Sequence, residues 1–223
     1  MRTFARPGAV EGMARYGIRS AQVLGVPMPD LRRTARTIGR DHGLALALWA
    51  TGIHDARILA TLVADPLALT ASDLETWAND LDNWAVTDAL CLNLLAGAPG
   101  AFALVRRWAL RDEEFVRRAA FSLAAVLAVH AKDDPDRVFL SLLPLVEKGA
   151  RDERNGVKKA VNWALRQIGK RSLALNAAAV ETARTIHALG TPAARWIATD
   201  ALRELTSPAV QARLEKRESQ RKR

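Results

Sequence analysis

The chain has 223 residues, 49% hydrophobic and 26% charged, a globular balance that excludes a disordered polypeptide and is long enough for one well-cored domain. No apolar run approaches the roughly 18 residues of a membrane span, and the start, MRTFARPGAV, lacks the apolar stretch of a secretory signal. The one cysteine, Cys91, excludes a disulfide framework and a cysteine-built zinc site, so a cytoplasmic protein without membrane contact is expected; a monomer is expected as well.

The formal net charge of +9 is unevenly placed: the first hundred residues hold nine Lys/Arg against ten Asp/Glu, the remainder 24 against 14. A basic half without a membrane-length helix suits a polyanion, although a solvated basic surface accounts for the charge equally well. The end, KRESQRKR, reads as a frayed basic tail from about residue 214.

Along the chain, helical patterns follow one another with short breaks at Gly25-Val26-Pro27, Thr51-Gly52, Asp65-Pro66, Gly97–Gly100, Lys132–Pro135, Gly149 and Gly190-Thr191-Pro192. Between them apolar residues recur at three and four, as in Leu31/Ala35/Ile38 and Phe115/Ala119/Leu123/Val126. Ser72 with Glu75 fits a capping box, and Pro29-Asp30 fits a first turn. Alternating Val/Ile/Thr-rich runs, the makings of strands, are absent. Helices of about 10–18 residues joined by about two to five must run antiparallel. Pairs recurring at roughly 40 residues predict an all-α fold, a HEAT-like-repeat α-solenoid of antiparallel helix pairs forming one domain over residues 1–223.

Three helices do not read as plain scaffold. In Asn83–Ala96 (NWAVTDALCLNLLA) Asp88 is the single charged residue, and Trp84, Asp88 and Cys91 fall within about 60° of one another. An unpaired buried carboxylate would cost several kcal/mol, so Asp88 needs a partner or an open cleft. By itself W-x-x-x-D is common, and a core Trp beside a surface Asp fits it too. In Glu113–His130, Arg118 lies opposite the apolar stripe Val116/Ala119/Ala120/Leu123/Leu127, in line with Ser122 and Ala125. That small face reads as open, with the guanidinium able to reach a carboxylate or a phosphate. In Val157–Arg171 the stripe Val157/Val161/Ala164/Leu165/Ile168 packs inward, leaving Lys159, Trp163, Arg166 and Lys170 nearly opposite. An indole among cations is a platform for a sugar or base beside phosphate-holding charges; the plainer reading packs Trp163 under a neighbouring helix with its cations snorkelling outward.

The stretches GVPMPDLRRTARTIGRDH, LWATGIHDARILATL, NWAVTDAL, FVRRAAFSL and KKAVNWALRQIGKR, in that order and covering most of residues 10–175, closely resemble the DNA alkylation repair family, the AlkD-type HEAT-like-repeat DNA glycosylases. In such proteins two tryptophans, an aspartate and an arginine line a concave cleft against DNA. The corresponding residues here are Trp84, Asp88, Trp163 and Arg118, with Arg117, Lys159, Arg166 and Lys170 as backbone contacts.

The resemblance implies base excision from double-stranded DNA: hydrolysis of the N-glycosidic bond of cationic alkylated purines of the 3-methyladenine or 7-methylguanine type. Asp88 would stabilise an oxocarbenium-like sugar and position the water, the indoles of Trp84 and Trp163 would contact the deoxyribose, and Arg118 would hold a phosphate. No cofactor and no metal is implied, and His42, His54, His130 and His187 lack ligand spacing. The protein would sit on the nucleoid while acting on DNA. Only about 25 residues precede GVPMPDLRR, resembling a branch of the family with a shortened N-terminus and an incomplete cleft. A non-catalytic HEAT-like-repeat module that binds DNA or a protein is therefore the alternative.

Overall fold

The computed structural model describes residues 5–18, 20 and 22–221, and every regular element among these is helical. They form two compact units, one ending at Ala101 and one beginning at Phe102.

The first unit holds α1 (Pro7–Arg15), α2 (Met28–Ile38), α3 (His42–Ala50), α4 (His54–Val63), α5 (Ala71–Asn79) and α6 (Trp84–Asn93), followed by a 3-10 turn at Leu95–Gly97. Helix α4 is the hub, packed against α2, α3 and α6. Its second residue, Asp55, is fully buried and accepts from Leu24 N and Val26 N at 2.7 Å each. A carboxylate at a helix N-terminus is already favoured there, and here it also fixes the loop before α2. Gly25 in that loop has φ 71° and would place a Cβ 2.6 Å from the Arg6 carbonyl oxygen, so only glycine fits.

Helix α2 opens as expected, with proline in its first turn and Asp30 behind it. The capping box of α5 lies two residues before the expected one. Thr70 rather than Ser72 is the cap: its side chain accepts from Asp73 N, and Asp73 reaches back to Thr70 N. The register T-x-x-D satisfies the same two orphan donors as S-x-x-E.

The second unit holds α7 (Ala101–Trp108), α8 (Glu114–His130), α9 (Asp136–Leu140), α10 (Leu143–Gly149), α11 (Asn155–Gly169), α12 (Leu173–Ala188), α13 (Pro192–Leu205) and α14 (Pro208–Arg221). Helix α8 lies along α11, α11 packs against α12 and α13, and α12 against α13. The face of α8 expected to be open is closed: Ser122 and Ala125 are inaccessible, and everything from Arg118 to Ala128 is buried. Small Ala and Ser side chains let neighbouring backbones approach from every side, so this helix is core all round.

The expected basic tail from residue 214 is helix α14 through Arg221; the last two residues lie outside the described ones. Val210 and Leu214, one turn apart, are buried. At about 1.5–3 kcal/mol for each such side chain, the pair outweighs terminal fraying.

Candidate nucleic-acid interface

In the first unit the candidate residues sit on α6. Asn83 caps the helix, its side-chain oxygen accepting from Ala85 N and Val86 N. Its amide nitrogen donates to Ser20 Oγ at 2.9 Å and faces His54 Nδ1 at 3.3 Å. Burial holds the His54 imidazole below its ordinary proton affinity, against the pull of Asp55 and Asp82, so a neutral ring is there to accept. This fixes the entry of α6. Trp84 follows at once, 39% exposed, and its Nε1 donates to the Tyr16 carbonyl at 2.8 Å. One turn on, Asp88 is half-buried, and a further turn on Cys91 is buried. The expected shared face exists, running from open at Trp84 to closed at Cys91.

In the second unit Arg118 is 6% exposed and donates through Nη1 to the Gly156 carbonyl at 2.7 Å. Glu114, one turn earlier on α8, accepts from Gly156 N at 3.2 Å. A Cβ at position 156 would sit 2.6 Å from that Glu114 oxygen. The two side chains, both from α8, hold the first turn of α11 by the carbonyl and the N–H of Gly156. Arg117 pairs with Asp152 at 2.9 Å and Asp112 at 3.3 Å. Asp152 also takes Arg154; burial would raise its pKa, but the two guanidinia hold it down at about 2.

Along α11, Lys159 is exposed and Trp163 half-buried. Gln167, with its amide oxygen turned to the indole, accepts from Trp163 Nε1 at 3.2 Å. The expected basic stripe is not an open one. Arg166 pairs with Asp200 at 2.8 Å and Glu204 at 3.0 Å, and Lys170 with Glu204 at 2.6 Å. Asn162 also donates to Asp200; these partners outweigh the effect of burial and keep Asp200 below the usual carboxylate range. Thus Arg117, Arg118, Arg166 and Lys170 are all engaged within the unit. Apart from Asp112 beside Arg117, the partners that hold them (Asp152, Gly156, Asp200 and Glu204) lie 34 to 38 residues away in sequence, which is why local pattern left the cations looking available.

Sequence reasoning missed Trp196 on α13, 42% exposed, with Lys158 Nζ 5.2 Å from its ring centroid. A signal was present: Trp196–Leu202 repeats the W-x-x-T-D-A-L of Trp84–Leu90. In the second copy Asp200 ties α13 to α11, so the motif by itself makes scaffold as readily as a site.

Among the described residues no group of three or more His, Cys, Asp or Glu is placed to hold a metal ion, and no helix is long and apolar enough to cross a membrane.

Successive helices packed in pairs within each unit are the architecture of the HEAT-like helical-repeat class. A solved structure agrees with that fold at TM-score 0.73 and 22% identity, covering 82% of this chain and 79% of that one; it is described as "a new family of proteins related to the HEAT-like repeat DNA glycosylases with affinity for branched DNA structures". A family model described as DNA alkylation repair enzyme matches residues 1–206, and the chain belongs to that family. No curated protein sequence matches it significantly.

Proposed function

We propose that this protein is a DNA N-glycosylase of alkylation repair, acting as a cytoplasmic monomer on cationic alkylated purines in duplex DNA. The observation that carries this reading is the pair on α6: a half-exposed indole pinned at its edge by the Tyr16 carbonyl, with the carboxylate of Asp88 one turn beyond. A purine alkylated at N3 or N7 is already positive and departs with the glycosidic electron pair. The sugar left behind is oxocarbenium-like, and water adds at C1′ and gives up a proton. In this mechanism Asp88 stabilises the sugar cation and orients the water. Trp84, its N–H already committed, offers its face to the deoxyribose. Trp163 and exposed Lys159 contact the strand.

The test is release of 7-methylguanine from methylated duplex by wild type and Asp88→Asn. Excision by wild type and a loss of at least about a hundredfold in the variant are expected, the scale of removing one preorganised electrostatic group. Equal excision by both proteins removes Asp88 from the reaction.

A second reading is favoured by the internal ion pairs of Arg117, Arg166 and Lys170 and the burial of Arg118. Cations spent on holding helices together do not grip a phosphate backbone around a lesion. On this reading the protein binds DNA without cutting the glycosidic bond, as a structure-selective module. Absence of excision by wild type, with a four-way junction bound more tightly than duplex, selects it.

A further inference from the structure

Within the second unit, the C-terminal ends of α8 and α11 and one flank of α14 border an open pocket of about 600 Å³. That volume lies in the range of small-ligand sites. Its lining carries Lys132, Lys170, Arg171, Arg213 and Arg217 with Gln167, and no carboxylate.

Part of this charge is structural. The Arg171 guanidinium donates to the carbonyls of Ala128, Ala131 and Asp134, closing the end of α8. Arg217 donates to the Lys170 carbonyl at 3.2 Å, at the end of α11, and Lys170 pairs with Glu204. Cations at helix C-termini complement the dipole there. Two remain that this does not absorb: Lys132 and Arg213 are exposed, and neither has a side-chain hydrogen bond or ion pair among the described residues. On α14, Arg213, Arg217 and Gln220 recur at four and three, on the flank next to the buried Val210 and Leu214, so the side of the helix that borders its anchor lines the pocket.

The pocket also continues a line on α11. Trp163, Gln167 and Lys170 are successive turns of one face, and Gln167 accepts from the Trp163 indole. Trp163 and Lys170 are about 10 Å apart along the helix axis, within reach of neighbouring nucleotides of one strand.

We propose that this pocket is a non-catalytic site for the phosphodiester backbone of DNA, further along the strand that passes Trp163, with Lys132 and Arg213 supplying the charge the fold does not itself use. The site rests on the reading that DNA is the ligand, and not on excision.

The test compares wild type, Lys132→Glu/Arg213→Glu and, as a control of equal charge change on exposed cations outside the pocket, Arg151→Glu/Arg184→Glu. Each is titrated against a fluorescent duplex over a salt series, with circular dichroism to confirm folding. At about 50 mM salt the pocket variant should bind at least about tenfold more weakly than wild type and its log–log salt slope should shrink by about two. The control should stay close to wild type. Equal losses in both variants, or no loss in the pocket variant, would overturn the site, as would failure of wild type to bind duplex. Methylated-base release by the same proteins reports separately on Asp88. Pocket-dependent binding without excision by wild type supports the pocket and removes the glycosylase reading.

Discussion

Asp152 shows how a single residue sets the stability of the second unit. Its side chain is 6% exposed and bridges Arg117 of α8 to Arg154 just before α11. Burial opposes its ionisation, but the two guanidinia win and hold the carboxyl at about 2 against an ordinary 3.8. A depressed carboxylate pKa stabilises the folded state above the unfolded value, and that stability is lost as pH falls through the folded one. Asp152→Asn should therefore lower unfolding stability at pH 7 by on the order of 2 kcal/mol. The gap between wild type and variant should close between about pH 4 and pH 2. Urea unfolding midpoints across that range measure it, and a gap independent of pH would assign the effect to packing rather than to charge.

His54 has the opposite chemistry and the same direction. Burial depresses its pKa from 6.5, so the unfolded chain binds the proton more readily and stability falls as pH drops below 6.5. Protonation also turns Nδ1 from acceptor to donor, against the Asn83 amide 3.3 Å away. Since Asn83 caps α6, mild acid should loosen the start of the helix that carries Trp84. Tryptophan fluorescence of wild type and Trp84→Phe between about pH 7.5 and 5.5 isolates that change, which should vanish in His54→Gln.

At the scale of elements, close approach of helices carries the second unit. A Cβ on Gly149 would meet the Phe121 ring at 2.4 Å and Val161 at 3.0 Å. Phe121 is itself 1% exposed, with nowhere to retreat. Gly149→Ala should cost about 1–3 kcal/mol, the range for overpacking a filled core, seen as a lower urea midpoint. Combined with Phe121→Leu the losses should add to less than their sum, because the smaller side chain relieves the clash. Additive losses would place the effect in the backbone of α10.

What the sequence made legible follows the same division. Helices were readable because their breaks are local: glycine, proline and caps within a few residues. Helix α2 with its Pro29-Asp30 start matched, and α5 missed only by the two-residue choice between equivalent capping boxes. The shared face of Trp84 and Asp88 was readable from helical spacing alone. The states of Arg118, Arg166 and Lys170 were not, since they depend on Gly156, Asp200 and Glu204, which lie 38, 34 and 34 residues on. The closed face of α8 hid for a related reason: alanine is neutral about exposure until its neighbours are known. Helix α14 reads as a tail because only Leu214 of its two buried anchors falls within the charged run that ends the chain, and Val210 precedes it.

At the scale of the molecule, the charge asymmetry makes a prediction that no single site makes. The first hundred residues are nearly neutral, and the excess positive charge belongs to the remainder. Much of it is internally paired; among the exposed cations without a side-chain partner in the described residues, Lys159 lies on α11, Lys132 at the end of α8 and Arg213 on α14. Contacts of phosphate with such cations weaken steeply with salt, whereas an indole against a sugar does not depend on counterion release. Hydrogen exchange of the whole protein should therefore slow on adding duplex DNA at low salt mainly in peptides covering α11 and α14, with α2 to α5 little changed. Raising salt to about 200 mM should restore exchange in α14 first. Any slowing at the start of α6 should outlast it while DNA is kept saturating, because that contact runs through Trp84. Slowing spread evenly over both units, or strongest in α2 to α5, would mean that the charge asymmetry does not decide where DNA binds.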